Sequence, residues 1–518
     1  MLKTGVKSFV WHPFLFAILP VLIIFSQNMN FLQLNEIILS ISVVLAITFV
    51  IWILLVLTIK NKKKAGLIVS FGVGIFFSYS YIYNLIDDFS FDSFYIRHHY
   101  VLAFFMILIG LEIFYFIKTK REMKNISYVA SIISVSLVVI TLTYISVINL
   151  EDIYLMNDSV EIIGNELYSN KNLPDIYYII LDSYAHETIL KDVYYYDNQE
   201  FINSLKEEKF FVASQSYSNY RHTFLSFASF LNMEYINYLS DELGKDSRNF
   251  HKIYQMTDNN NVMKILKSKG YKIINFESDL GLTGNIEVAD INLCEINPYI
   301  DSQLLIKVIK TSMLNPIYLD LFDSFSNDRE RCVFSELPMI QHKHKEPFFV
   351  LAHILIPHYP YRFGPNGEDI PLGTFEPGME VWDEKKGYLN QVKFANKMII
   401  EVVNKIIMES KNSPIIIIQS DSGTSFASDM ILSDSGNPTT SEDRNEIINR
   451  KMKILNAYHL PGNGSSLLYD TITPVNSFRV IFNYYFKENY DLLEDKMYYS
   501  EYGKEINFSD VSDIRIKN

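Results

Sequence analysis

The chain has 518 residues, of which 49% are hydrophobic, and its mean hydropathy is slightly positive at +0.08. This composition is apolar for a soluble protein, so part of the chain is expected to lie in a membrane. The formal net charge is −13, and the acidic excess lies after residue 150, because the first 150 residues hold eleven Lys and Arg against six Asp and Glu. The acidity of the later part argues against a nucleic-acid partner.

Five apolar runs follow one another at the N-terminus, each close to the ~20 residues that cross the hydrocarbon core of a bilayer. They cover residues 9–25, 37–59, 66–85, 100–117 and 127–149. Buried helices of a soluble core would show polar faces at helical spacing, and a run such as ISVVLAITFVIWILLVLTI has none. Residues 1–150 are therefore predicted to form a five-span transmembrane anchor.

The Lys and Arg residues between the runs predict the orientation, because short cytoplasmic loops are enriched in them. They cluster before the first run, after the second and after the fourth, whereas the loops 26–36 and 86–99 carry only Arg97. Five crossings from an inside N-terminus place the chain after residue 150 outside the cytoplasmic membrane. The polar stretch 151–173 is predicted to be an extracytoplasmic linker. The first run is predicted to be an uncleaved anchor, because no small-residue cleavage site flanks it.

Strand and helix patterns alternate from residue 174 to the C-terminus at 518. The predicted strands are DIYYIIL (175–181), FFVAS, YKIINF, PFFVLAHIL, PIIIIQ and KILNAYHL. The predicted helices include NQEFINSLKEE, NNVMKILKSKG, VNSFRVIFNYYF and a long amphipathic helix at about 388–410. Regular alternation of this kind predicts an α/β domain with a largely parallel sheet that is covered on both faces.

Two of these strands end on an aspartate, Asp182 after IIL and Asp421 after IIIIQS. Ligands of α/β proteins bind at the carboxyl ends of the strands, so two acids there form a candidate site for a divalent cation. Thr223 stands just ahead of an apolar helical run, where free N–H groups favour an anion and a hydroxyl beside a cation can act as a nucleophile. The alternatives are that both aspartates are ordinary loop acids and that Thr223 is a plain N-cap.

The two cysteines, Cys294 and Cys332, are too few for a disulfide scaffold and fit no zinc motif. In a domain outside the cell membrane they could pair with each other or remain free.

Longer motifs carry a resemblance to a known family. The stretches PDIYYIILDSYA, SNYRHTFLSFASFLNM, HILIPHYPYRF and IIIIQSDSG resemble the sulfatase-like branch of the alkaline phosphatase superfamily. Within it, the chain is most similar to membrane-bound relatives of lipoteichoic acid synthase and the phosphoglycerol transferases. The resemblance covers about 174–500 and implies that Asp182 and Asp421 are metal ligands. It also implies that Thr223 is both nucleophile and metal ligand, and that His358, in PHYPY, lies near the phosphate of the substrate.

Ser422 departs from the pattern of this family, which has a metal-binding histidine at that position. A neutral hydroxyl is a far poorer ligand than an imidazole. Either another residue completes the ligand set, with His459, His358 and His222 as candidates, or Ser422 leaves the ion weakly held, or the domain no longer catalyses.

The resemblance implies a membrane-anchored transferase that moves a phosphoglycerol or phosphoethanolamine group from a phospholipid donor to an envelope glycan acceptor through a covalent intermediate on Thr223. The cofactor would be Mn²⁺ or Mg²⁺, since oxygen ligands suit both. One alternative is a hydrolase of phosphate or sulfate esters, although Thr223 replaces the cysteine of sulfatases, which counts against sulfate. The other alternative is a non-catalytic glycan-binding envelope protein, and Ser422 is its main support.

Overall fold

A computed structural model gives the fold of the protein. It describes residues 10–29, 32, 34–88, 98–155, 173–278, 281–284, 286–294, 302–322, 325–371, 381–424 and 441–517. The predicted linker 151–173 therefore lies mostly outside the described residues. The chain divides into two compact units, one formed by Met1–Val160 with Ile296–Phe322, the other by Glu161–Glu295 with Asp323–Asn518.

Helices alone make up the first unit, whereas the second contains both helices and strands. In chain order the elements are α1 His12–Gln27, α2 Leu34–Ile59, α3 Lys62–Asp88, α4 His98–Lys118, α5 Lys124–Leu155, β1 Ile176–Leu181, α6 Glu187–Asp192, α7 Gln199–Glu207, β2 Phe211–Val212, α8 Thr223–Phe230, α9 Leu239–Leu243, α10 His251–Asp258, α11 Asn261–Ser268, β3 Lys272–Phe276, β4 Ile291–Leu293, α12 Gln303–Lys310, α13 Asn315–Phe322, α14 Phe325–Glu336, α15 Ile340–Lys343, β5 Phe348–Ile354, α16 Val381–Glu409, β6 Ile415–Gln419, α17 Ser441–Met452, β7 Asn456–His459, α18 Pro474–Phe486, β8 Tyr498–Tyr499 and β9 Ser509–Asp510.

The apolar helices predicted from the sequence are all present as α1 to α5. Four of them, α2 to α5, are long and apolar enough to cross a membrane among the residues searched. Helix α1 is apolar but shorter, with 16 residues. At 1.5 Å per residue it is about 24 Å long, less than the ~30 Å hydrocarbon thickness. The N-terminal part of the chain is thus a bundle of membrane helices.

An excursion from the later part of the chain, residues 302–322, belongs to the same unit as the membrane helices. Its helix α12 begins at a carboxylate of α2, because Glu36 Oε2 accepts hydrogen bonds from Ser302 Oγ at 3.0 Å and from the backbone N–H of Leu304 at 2.9 Å. Farther along, Ser80 Oγ of α3 donates to the carbonyl of Lys310 at 2.6 Å. Leu304 and Val308 are buried in one hydrophobic cluster with residues of α1.

The described part of the second unit is built on a seven-stranded sheet in the order β2-β7-β6-β1-β5-β3-β4. The five strands from β6 to β4 run parallel, β7 pairs antiparallel with β6, and β2 pairs antiparallel with β7 at the edge of the sheet. Strand β1 lies at the centre, where Leu181 pairs with Ile354 of β5 and Ile180 pairs with Gln419 of β6. This confirms the prediction of an α/β domain with a largely parallel sheet.

The sheet is covered on both faces, as the side chains of β1 show. Tyr177, Ile179 and Leu181 lie in one hydrophobic cluster, and the residues between them lie in the other. Successive side chains of a strand point to opposite faces, so six buried residues in a row require cover on both sides. The apolar face of α16 packs in the first cluster, through Val392, Ala395, Ile399, Val402 and Ile406, and α8, α11 and α18 contribute to the second.

Cys294 and Cys332 form a disulfide with a Cα–Cα distance of 5.8 Å. Cys294 follows β4 and Cys332 lies in α14, so the disulfide joins the chain just before the excursion to the chain just after it.

Candidate active site

The two aspartates at the ends of strands lie together at the carboxyl edge of the sheet. Asp182 directly follows β1 and is 4% exposed; Asp421 follows the adjacent strand β6 and is fully buried. Ser183 connects them, because its N–H donates to Asp421 Oδ1 at 3.1 Å and its hydroxyl to Asp182 Oδ1 at 3.0 Å. Ser183 has a φ of 61°, which is uncommon for a residue other than glycine, and such strain is often found at functional sites.

The charges of the two carboxylates are strongly coupled. Burial by itself raises the pKa of Asp182, but the charges of His358 and His353, with hydrogen bonds from His353 and Ser183, outweigh burial and lower the pKa to about 2. Burial and the charge of Asp182 raise the pKa of Asp421 to about 6. Two buried carboxylates side by side are unfavourable unless a cation or proton compensates them.

Thr223 is the first residue of α8, and its side chain is close enough to the carboxylate of Asp421 to lower the pKa of that group. The N-cap position is occupied by His222, so the alternative that Thr223 is the N-cap is wrong. The helix is held firmly in place, since Phe227 and Phe230 are buried under the sheet. A half-buried hydroxyl at a helix N-terminus, near a carboxylate, has the surroundings in which a hydroxyl can attack an anionic group.

Ser422 also faces this site. Its side chain is 1% exposed, and its hydroxyl lies 3.5 Å from the hydroxyl of Ser183, which in turn is bonded to Asp182. The side chain at position 422 therefore lies next to Ser183, the residue that bonds to both carboxylates.

The three histidines considered as replacements for an imidazole at position 422 lie in different places. His459 pairs with Ile416 at the start of β6, and its Nδ1 contacts the carbonyl of Pro414 at 2.9 Å. Because Ile416 is five residues before Asp421, His459 lies at the opposite end of the strand and does not reach the site. His358 is exposed, and its charge acts on Asp182.

His222 is buried beside Thr223, and burial, with the charges of Arg221 and Lys451, lowers its pKa to about 3. Its ring contacts Tyr502, and its Nε2 atom is buried without a hydrogen-bond partner among the described residues. Burial therefore favours the neutral form of His222, which precedes Thr223 in the chain and packs against Tyr502.

Sequence reasoning did not single out His353, a fourth histidine at this site. It lies on β5, directly opposite Ile180 of β1, and is 1% exposed. Its Nε2 atom lies 3.7 Å from Asp182 Oδ2. A single polar residue inside the apolar strand FFVLAHI was the signal that could have identified it, because a buried polar side chain needs a specific partner.

The residues at this edge fit a divalent cation with oxygen ligands. Asp421 Oδ2 is buried and has no hydrogen-bond partner in the part of the chain that the structure describes. The second carboxylate and the hydroxyl of Thr223 are adjacent to it. No group of three or more His, Cys, Asp and Glu residues is positioned to hold a metal ion within the described ranges. Hydroxyl oxygens or a movement of side chains would therefore have to complete the ligand set.

Several solved structures resemble the chain at low identity. The C-terminal periplasmic domain of EcEptC from Escherichia coli is 12% identical with a TM-score of 0.41, covering 68% of this chain and 97% of that one. The integral membrane protein lipooligosaccharide phosphoethanolamine transferase A from Neisseria meningitidis is 11% identical with a TM-score of 0.37, covering 87% of both chains. A Bacteroides thetaiotaomicron structure, from work on the metabolism of glycosaminoglycans, has a TM-score of 0.38, is 11% identical and covers 65% of this chain and 84% of that one.

These scores are too low to say anything about activity, and no curated protein matches the sequence. The family model described as Sulfatase matches residues 174–469, which is more than half of the 518 residues. The match includes Asp182, Thr223, His358, Asp421 and Ser422 and ends before α18. The chain therefore belongs to the sulfatase family.

Proposed function

We propose that the protein is a membrane-anchored, metal-dependent transferase that moves a phosphoglycerol or phosphoethanolamine group from a phospholipid to an envelope glycan. The observation that carries this proposal is the placement of Thr223 at the start of α8, close enough to Asp421 to influence the pKa of that carboxylate. The sulfatase family assignment supports the fold around that hydroxyl. Sulfatases convert a cysteine at the nucleophile position into formylglycine. Threonine at position 223 cannot undergo this conversion, so the site favours phosphoryl transfer over sulfuryl transfer.

Asp182, Asp421 and Thr223 would hold the divalent ion, Mn²⁺ or Mg²⁺, with Ser422 as a weak neighbouring oxygen donor. The unpartnered Oδ2 atom of Asp421 supports this assignment. When bound, the ion would stabilise negative charge on the transferred group and on the oxygen of Thr223.

The chemistry proceeds in two steps that leave Thr223 unchanged at the end. In the first, a bond forms between the Thr223 oxygen and phosphorus while the bond from phosphorus to the diacylglycerol oxygen breaks, and the hydroxyl proton ends on the diacylglycerol. In the second, a bond forms between a hydroxyl oxygen of the glycan and phosphorus while the bond from phosphorus to the Thr223 oxygen breaks, and the proton of the acceptor hydroxyl returns to Thr223. His358 would bind the phosphate of the substrate; its exposure in the loop after β5 and the effect of its charge on Asp182 support this role.

The membrane helices support a lipid donor, because they keep the protein at the bilayer in which phospholipids are found. The distribution of Lys and Arg favours a multi-pass protein of the cytoplasmic membrane with the sulfatase-family unit outside. The excursion supports the same orientation. It docks on Glu36 at the start of α2 and on Ser80 near the end of α3, two helix ends that the charge pattern places outside.

The second candidate function is a non-catalytic domain that binds an envelope glycan. Ser422 favours it, since its side chain faces the carboxylates where an imidazole ligand would strengthen metal binding. A hydrolase of phosphate esters differs from the proposed transferase only in using water as acceptor.

The test uses the purified full-length protein in detergent with Mn²⁺ and fluorescent phosphatidylethanolamine or phosphatidylglycerol. We expect release of fluorescent diacylglycerol, and mass spectrometry should find the head group with its phosphate on the peptide that contains Thr223. Thr223→Ala should abolish both products, whereas Thr223→Ser should keep a part of the activity. Thr188→Ala is the matched control, because Thr188 is equally half-buried and its hydroxyl bonds to His186 rather than to either aspartate among the described residues.

A folded Thr223→Ala variant that still releases diacylglycerol would show that the nucleophile lies elsewhere. A wild-type protein that binds Mn²⁺ and glycan but cleaves neither lipid would support the non-catalytic alternative. Formation of free phosphoethanolamine or phosphoglycerol in the presence of acceptor glycan would support the hydrolase.

A further inference from the structure

We propose that the membrane helices carry a binding site for one glycerophospholipid, in a groove between α1 and α3. The groove has a volume of about 410 Å³, which is within the range of roughly 300–1,000 Å³ that ligand pockets usually have. All residues that line it belong to the first unit, so the inference is independent of the chemistry at Thr223.

Two membrane helices form the walls of the groove. Residues of α1 from Phe16 to Ile24 line one side, and residues of α3 from Val73 to Tyr81 line the other. Phe77 of α3 packs against the hydrophobic cluster that contains the buried residues of α1, so the two helices are in contact beside the groove. Each wall extends for about 12 Å at 1.5 Å per residue, which is close to half of the ~30 Å hydrocarbon thickness of a bilayer.

The polar side chains of the groove lie together at one end. Ser78 and Tyr81 are the last residues of α3 that line it, and Thr311 of the excursion also lines it. Ser80 donates a hydrogen bond to the carbonyl of Lys310, so Thr311 lies at the same end as Ser78 and Tyr81. The other described lining residues are apolar. A phospholipid has the same distribution, with an apolar chain and one polar end.

The apolar part of the groove is suited to a hydrocarbon chain and not to water. A water molecule in a cavity needs two to four polar partners, and the described side chains of this part supply none. The wall is open at Gly74, because outside its own stretch of helix no atom of the described residues lies within 4 Å of the position of a Cβ atom. An acyl chain of the surrounding bilayer would gain dispersion contacts by entering this space.

Lys310 supplies a positive charge at the polar end. It is exposed, is the last residue of α12 and directly precedes Thr311. The ring of Tyr81 is 59% exposed at the same end, and tyrosine rings at a membrane surface lie at the level of the lipid head groups. The phosphate of the lipid would lie beside the ammonium group of Lys310, with one acyl chain between α1 and α3. The charge pattern places this end of α3 outside, so the lipid would belong to the outer leaflet.

The competing occupants of the groove are a helix from a second copy of this chain and the ordinary shell of lipids around membrane helices. They differ from a specific lipid in stoichiometry and in selectivity. A helix from a second copy produces dimers. Lipids of the ordinary shell bind in variable number, without one preferred site and without a requirement for Gly74 or Lys310.

The experiment titrates the full-length protein in detergent with dioleoyl phosphatidylglycerol and counts the bound lipids by native mass spectrometry. The monomer should bind a first lipid more tightly than the following ones. Gly74→Phe fills the groove and should remove this tight site. Gly110→Phe is the matched control, because Gly110 is also an exposed glycine of a membrane helix with open space at its Cβ position, but it does not line the groove. The control should keep the tight site.

The charge at the polar end is tested separately. Lys310→Gln should weaken binding of the first lipid by about fivefold, since one lysine near an anionic lipid surface contributes ~1 kcal/mol. Lys118→Gln is the matched control. Lys118 is also exposed and the last residue of its helix, and its Nζ lies 5.9 Å from the ring of Phe114, as Lys310 Nζ lies 5.5 Å from the ring of Tyr318. It stands at a helix end that the charge pattern places inside, so its replacement should leave the first lipid unaffected.

A first lipid that binds no more tightly than the others would overturn the inference. Equal binding by Gly74→Phe and Gly110→Phe, equal effects of the two lysine replacements, or dimers that Gly74→Phe dissociates would also overturn it. Lys310→Gln changes an exposed side chain, so its result does not depend on the folding of Gly74→Phe. The measurements require no turnover, so a negative result leaves the proposed transferase reaction untouched.

Discussion

Replacing Gly423 by alanine should damage the candidate site through the backbone that follows Asp421. A Cβ atom at this position would lie 2.2 Å from the carbonyl oxygen of Arg450 and 2.9 Å from the carbonyl carbon of Lys451. Both are backbone atoms at the end of α17, so neither can move as the tip of a flexible side chain would. The loop must shift, and the hydrogen bond from Gly423 N–H to the carbonyl of Lys451, 2.7 Å long, would be broken.

Two contributions set the size of the effect. Forcing additional atoms into a packed region costs about 1–3 kcal/mol, and the lost hydrogen bond adds about 0.5–1.5 kcal/mol. The free energy of unfolding should therefore fall by about 2–4 kcal/mol, which lowers the melting temperature of a unit of this size by roughly 3–6 °C. Displacement of Asp421 should also weaken Mn²⁺ binding by about tenfold, as loss of outer-sphere support does.

Scanning calorimetry and Mn²⁺ titration of the full-length protein would measure both effects. Gly284→Ala is the control, because the nearest atom to its added Cβ lies 3.7 Å away, an ordinary contact distance. If Gly423→Ala melts at the same temperature as Gly284→Ala and binds Mn²⁺ equally well, the loop after Asp421 is free to adjust and the reasoning is refuted.

Ser422→His should strengthen the binding of Zn²⁺ and Mn²⁺ more than that of Mg²⁺, because imidazole prefers transition metals. If calorimetry finds unchanged affinities in a folded variant, position 422 does not reach the ion. Reporter fusions after Lys124 should report the cytoplasm and fusions after Asp175 the outside, and an inside signal at Asp175 would contradict the proposed orientation. Replacing Cys294 and Cys332 together by serine should destabilise the protein by about 2–4 kcal/mol, since the disulfide closes a loop with a sequence separation of 38; an unchanged melting temperature would show that the pair does not contribute to stability.

The sequence was sufficient to predict that Asp182 and Asp421 lie at one edge of the sheet, because the ends of buried strands are local features of the sequence. Apolar runs that stop at Asp182 and Asp421 identify two parallel strands, and parallel strands bring their carboxyl ends to one edge. His353 could not be found in this way. It lies inside a strand, and its distance from the edge depends on the register between β1 and β5, which the sequence does not encode locally.

Helix boundaries and the partner of α12 were the other features that sequence patterns did not determine. The pattern predicts Thr223 ahead of its helix, whereas the helix begins at that residue. Leu304 and Val308 have the spacing of any amphipathic helix, and the pattern gives no information on whether the apolar face packs on a sheet or on a membrane helix. The contact depends on Glu36, which is 268 positions away from Leu304.

The excursion has a practical consequence for any attempt to isolate the sulfatase-family unit. The chain passes between the two units three times, once through the stretch before β1 and twice at the ends of the excursion. A truncated protein that begins at residue 174 would keep α12 but lose the helices that bury Leu304 and Val308, so it would present an apolar surface to water and tend to aggregate. The excursion can be removed without separating the two segments that flank it, because the disulfide between Cys294 and Cys332 already joins them. A soluble version should therefore both start after the linker and replace residues 296–322 by a short polar turn.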